Sequence, residues 1–265
     1  MPRSVLDSWR KILLPLCAGV LMQAQVVTPR AGFVRCDDGT VRAAQGIEAA
    51  FVLGKPVAVA VDAASFSDQG GLISTRGIIR LLHEDGSEAG DYESGERHAV
   101  LSIEGDLSTA AAWLPSAQTI LHWDGGSFAR TVLRAALPGQ VTSLRLLEHT
   151  AELLVEKDGS VSAVTVSLDS GDELSARFLA GVSGPAVHHK NWVVYRDENG
   201  LEFESADGSR RTLPFSSSDL TIEHMASDWL DVQSRKTNQH WALHVTKTAL
   251  RISQLPASPV SGGVK

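Results

Sequence analysis

The sequence predicts an all-β fold, built as a closed ring of repeated four-stranded units. Three observations predict it. Short apolar segments recur as GGLIS (Gly70–Ser74), AAAWL (Ala110–Leu114), AELLV (Ala151–Val155), KNWVV (Lys190–Val194) and SDWLD (Ser227–Asp231). With Ile73, Trp113, Leu153, Trp192 and Trp229 as equivalents, the steps are 40, 40, 39 and 37 residues, a period proper to toroidal repeats. A second series keeps nearly the same time. Its members are the hairpin turns Asp85-Gly86, Asp124-Gly125, Asp169-Ser170-Gly171, Asp207-Gly208 and Thr246-Lys247, where Asp-Gly suits the positive φ of a tight turn. Between the turns, residues alternate with period two. Leu201 and Phe203 interleave with Glu202 and Glu204, and Trp241, Leu243 and Val245 with His240, Ala242 and His244, the pattern of a strand buried on one face. No long helical periodicity follows residue 25.

In chain order, residues 1–25 read as a secretory signal peptide. Arg3, Arg10 and Lys11 form a basic start, Ile12–Met22 an apolar run too short to span a bilayer comfortably, and Ala24 a small residue at which cleavage can fall. A short amphipathic helix or a mis-set start codon are the other readings, and lipid attachment at Cys17 is disfavoured by Leu16 before it. Gly32–Gly46 is a hairpin around Asp38-Gly39 with no preceding partner strands, the outer half of a unit. Five full units follow at about Lys55–Glu93, Glu96–Leu133, Gln140–Leu179, Ala186–Phe215 and Leu220–Leu255. Pro256 ends the pattern, and residues 257–265, rich in Ser and Gly, read as a disordered tail. No linker divides residues 31–256, so one domain is expected.

Four short strands in about 40 residues is the arithmetic of a propeller blade. On these repeats the chain resembles the β-propeller superfamily, of the secreted bacterial type, over about residues 31–256. It lacks the Gly-His and Trp-Asp signature of WD40 repeats, the lone Trp123-Asp124 being a hairpin turn. The resemblance implies a single β-propeller of about six blades: five four-stranded units, with the N-terminal hairpin packing beside the last unit to complete the ring, because an open sheet edge invites aggregation. It transfers no catalytic residue.

Composition narrows the function. At 265 residues and 43% hydrophobic, the chain can bury one substantial core. Net charge is −7, with 31 acidic and 24 basic residues. No basic cluster interleaved with aromatics occurs, which argues against nucleic-acid binding. Two cysteines, Cys17 and Cys36, exclude a disulfide framework. Once the signal is removed no transmembrane segment is expected.

Nucleophile-elbow, phosphate-loop and zinc-helix motifs are all missing. Asp197-Glu198-Asn199-Gly200 lacks the alternating oxygen ligands of a calcium loop and reads as a turn. Trp113, Trp192 and Trp229 recur at one repeat position and read as core between blades. His240 and His244 share a strand face but stand roughly 13 Å apart, too far for one metal ion. One constellation remains. The turn between first and second strands of each unit carries Asp68, Asp106, His149, His188-His189 and His224. In a propeller the first strand lines the axis, so these turns gather at one channel mouth, where histidine and carboxylate can converge as ligands or as an acid and a base; solvated turns also favour such residues. The sequence requires no cofactor, and a weakly bound divalent metal is compatible with it. The expected function is a secreted or periplasmic binding or scaffold module with a protein or small-ligand partner on one face; the alternative is a metal-dependent hydrolase or lyase acting at the channel mouth.

Overall fold

In a computed structural model, residues 29–257 are described except 49 and 218. The segment read as a signal peptide, and all of the tail beyond residue 257, lie outside the described residues. The first sheet holds β1 (Arg30–Arg35), β2 (Val41–Gln45) and β3 (Val52–Ala58). The second holds β4 (Ala63–Ser67), β5 (Gly70–Thr75), β6 (Ile78–His83) and β7 (Glu88–Glu93). The third holds β8 (Val100–Ser102), β9 (Ala111–Leu114), β10 (Thr119–Trp123) and β11 (Phe128–Val132). The fourth holds β12 (Gln140–Leu147), β13 (Thr150–Lys157), β14 (Ser160–Ser167) and β15 (Glu173–Ser183). The fifth holds β16 (Ala186–His189), β17 (Trp192–Arg196), β18 (Gly200–Ser205) and β19 (Arg210–Pro214). The sixth holds β20 (Leu220–Ala226), β21 (Trp229–Ser234), β22 (Gln239–Val245) and β23 (Leu250–Gln254). Each sheet is an antiparallel meander in sequence order, and together they form a six-bladed β-propeller. A single 3-10 turn at Leu107–Thr109 is the one helical element among the described residues.

Each hairpin of the turn series joins the third and fourth strands of its sheet. Gly86, Gly125 and Gly208 hold φ of 83°, 99° and 84°, a conformation that glycine reaches without steric cost. The period-two reading needs a correction. On β18, Leu201, Glu202 and Phe203 are all buried, because a blade is covered on both faces by its neighbours. Six apolar clusters follow from this, one at each seam between adjacent sheets.

The channel is lined by β4, β8, β12 and β20, with Pro185 and Val187 supplying the fifth sheet's wall. Hydroxyl side chains tie these inner strands together where no backbone ladder can. Ser65 Oγ accepts from the Ile103 N–H at 3.2 Å. Ser143 Oγ accepts from the His188 N–H at 3.0 Å, and Thr142 Oγ1 donates to the Ala186 carbonyl at 2.7 Å. Replacing Ser143 with alanine leaves the buried His188 N–H without its acceptor. A loss of about 1–3 kcal/mol is expected, read as a lowered denaturant midpoint with unchanged slope; an unchanged midpoint would mean that the bridge contributes nothing.

The first sheet differs from the expected hairpin in having a third strand. Val52–Ala58 overlaps the stretch that the sequence assigns to the next unit from Lys55, whose inner strand is instead Ala63–Ser67. The apolar run PVAVAV misleads, since Val57 and Val59 lie exposed on and beside an outer edge strand. β1 crosses β20 antiparallel. Gly32 lies against Met225, whose carbonyl would sit 2.2 Å from a Cβ at that position, and Arg35 Nη2 meets Glu223 at 2.6 Å. That direction is the one followed by the second strand of every other sheet. The first sheet therefore lacks only an innermost strand: the hairpin supplies its second and third strands rather than an outer half, and β3 is the fourth. β20 and β4 meet directly, and the Asp68 N–H donates to Ser227 Oγ at 3.2 Å.

Candidate functional site at the channel mouth

The six residues singled out by sequence divide into two groups. Asp68, Asp106 and His149 lie in exposed turns. The Asp106 side chain caps the 3-10 turn, its Oδ1 accepting from the Ser108 N–H at 2.9 Å. His149 points to solvent with Glu148 at 3.9 Å. The other three are placed differently from the expected turns. His188 and His189 are the last residues of β16, and His224 lies inside β20. The inner strands run further than their apolar cores suggest, so these histidines are carried into the seams.

Strand alternation then sends adjacent histidines to opposite seams. His189 faces the sixth sheet, its ring 5.4 Å from that of His224. His224 Nε2–H donates to the His188 carbonyl at 2.7 Å. His188 faces the fourth sheet, with Nε2 3.5 Å from Glu152 Oε1. Glu152 also pairs with Arg145 at 3.3 Å, and Arg145 Nη1 donates to the Lys190 carbonyl at 2.9 Å. Lys190 forms an ion pair with Asp228 across the rim. Neither ring nitrogen of His188 or of His189 has a hydrogen-bond partner among the described residues.

Burial sets the charge states. Desolvation holds His188 and His189 well below the usual imidazole range, helped by Arg145 and His224 at His188 and by His224 and Lys190 at His189. His224 is lowered by burial, partly offset by its bond to the His188 carbonyl. All three rings are neutral at pH 7. Burial also pushes the Glu104 carboxyl up to about 7; Arg145 opposes the rise and Glu152 adds to it. A second polar island lies between the sixth and first sheets. There His240 Nδ1 meets Asp231 Oδ2 at 2.8 Å, and Asp231 holds the ring above its ordinary value against the effect of burial.

What forms is a string of polar contacts across the seams, from Arg145 through Glu152 and His188 to His224, with Glu104 coupled to it electrostatically rather than by a hydrogen bond. Among the described residues no group of three or more His, Cys, Asp or Glu side chains is set to hold a metal ion. Sequence reasoning missed Glu104, Arg145 and Glu152. The signal was an arginine inside the inner-strand run LRLL, together with a glutamate two residues before Asp106. No helix among the described residues is long and apolar enough to cross a membrane.

No protein-family model and no curated protein matches the chain. Solved structures similar to it include the nidogen/laminin complex, at 13% identity over 84% of this chain and 92% of that chain, with a TM-score of 0.53. Hydrazine synthase of Kuenenia stuttgartiensis matches at 15% identity over 87% and 81%, with a TM-score of 0.44. BamB from Moraxella catarrhalis matches at 16% over 86% and 86%, with a TM-score of 0.36. The first of these supports the fold and nothing finer.

Proposed function

We propose that the chain is a binding module, exported to the periplasm or beyond, that holds a partner on the face of the ring where the first and second strands meet. The observation that carries this reading is a preformed concavity of about 500 Å³ opening near that face, between the first and second sheets. Its size and apolar lining are those of a ligand site. His188, His189 and His224, by contrast, are packed into seams and support the ring. Export rests on the basic start, the apolar run and Ala24.

Two measurements test the reading. Crosslinking of the exported protein to its partner should engage Lys190 and Lys247 on this face and spare Lys157 and Lys236 on the opposite one; equal engagement of both rims would overturn it. N-terminal sequencing of exported protein should begin within a few residues of Ala24, and an intact Met1–Gln25 segment on that protein would refute processing.

A further inference from the structure

We propose that the groove between the first and second sheets binds a ligand in which an apolar group adjoins a cation, and that in the free protein the cation position is filled by the chain's own Arg30. The inference rests on the binding-module reading and names the chemistry that the module takes.

The groove exists because one position on β5, Gly71, carries no side chain on this side of the sheet. A Cβ at Gly71 would stand 2.4 Å from the Phe66 ring, so glycine there lets Phe66 lie flat against its own sheet and leaves the space beyond it open. Phe33 from β1 meets Phe66 with ring centroids 5.0 Å apart. Val41, Ala43, Ala58 and Ile73 complete an apolar interior, and the exposed Val57 and Val59 continue it outward along β3.

The mouth is polar and specific. The Arg30 guanidinium lies 4.8 Å over the Phe33 ring, and its Nη2 is 3.4 Å from Glu84 Oε1. An aromatic face with a carboxylate beside it is the arrangement that attracts ammonium and guanidinium groups. Glu84 is 68% exposed and Arg30 34%, and such surface pairs are weak, so an incoming cation can displace the internal one. The Asp85 carboxylate stands next to Glu84 at the same rim, and a net charge of −7 favours cationic partners. A basic residue flanked by an aromatic or aliphatic one, in a peptide, meets both demands.

The test uses phenylalanyl-arginine amide and N-acetyl-phenylalanyl-glutamate as probes, titrated calorimetrically into the purified chain and its variants. Arg30→Ala should bind the cationic probe at least tenfold more tightly than the wild type, because the mouth is vacated. Adding Glu84→Gln to Arg30→Ala should cancel that gain, and Ala58→Trp should abolish binding by filling the groove. Because Glu84 is a surface residue, its variant keeps the test decisive even where Ala58→Trp perturbs the sheet, which its unfolding midpoint will show. Cationic-probe affinity unchanged by Arg30→Ala, or an acidic probe that binds the wild type more tightly than the cationic one, would overturn the proposal. One-faced crosslinking persisting alongside that result would leave the binding module standing and remove only the cationic ligand chemistry assigned to the groove.

Discussion

Truncation of Trp113 to alanine is expected to cost about 3–5 kcal/mol of stability, the range for large aromatic side chains removed from a core. Trp113 is 2% exposed at the seam of the third and fourth sheets, among Val141, Leu144, Leu153 and Val155. The hole cannot collapse by moving one sheet, since each is held by the next around the ring. Trp229, which the sequence period sets equivalent to Trp113 but which opens β21, is only half-buried, stacked on His244 at 4.2 Å and edge-on to Phe51 at 5.7 Å. Its truncation should cost less. Guanidinium unfolding of both variants decides the matter, and an equal loss for the two would show that burial does not govern their contribution.

Changing Glu104 to glutamine should stabilise the protein by about 2–3 kcal/mol at pH 8 and by almost nothing below about pH 4.5, since one pKa unit corresponds to about 1.4 kcal/mol. The carboxyl is raised from 4.5 to about 7 in the fold. Its stability contribution is therefore fully present below 4.5 and is lost as pH rises through 7. His188, His189 and His224 act in the opposite sense. Their lowered values keep stability intact above 6.5 and forfeit it as pH falls from there through the folded-state values. Of the groups facing them, Lys190 and Asp228 pair with each other and Glu152, 3.5 Å from His188, is shared with Arg145, so one carboxylate already engaged by a guanidinium faces three added charges. The variant should thus show a steeper acid loss than the wild type. Denaturant midpoints across pH 4.5–8 supply the measurement, and a variant no more stable than the wild type at pH 8 would mean that Glu104 is not ionised in a buried site.

The repeat was legible because two independent signals, apolar second strands and Asp-Gly hairpins, are each fixed by local chemistry. Ile73, Trp113, Leu153, Trp192 and Trp229 all fall on second strands, and the N-terminal hairpin does belong to an incomplete sheet, though one short of a single inner strand rather than of an inner half. β3 was not legible. Its apolar residues imitate an inner strand, while its position on an outer edge is decided by pairing with β2 rather than by hydropathy. The mouth was half legible. The spacing located His188, His189 and His224 at one end of the ring, but not which seam each enters, because one residue of register reverses a side chain's face. Groups meeting from different blades, such as Glu152 and His188, leave no trace in any single unit.

The direct meeting of β1 with β20 has a consequence for how the molecule is made. Arg35 and its partner Glu223 are 188 residues apart, so at about 5–20 residues per second the ribosome needs roughly 10–40 s to deliver the second after the first. Throughout that interval the nascent chain carries the inward edge of β1, and the apolar side chains of Ala31, Val34 and Ala44 that belong under Met225 and Ala242, with nothing to cover them. Neighbouring blades can assemble as they emerge, since each pairs with the sheet just before it. Closure cannot. Its long-range contacts form last and repay their loop entropy late, which makes emergence of the sixth sheet the event that ends the nascent chain's exposure to aggregation.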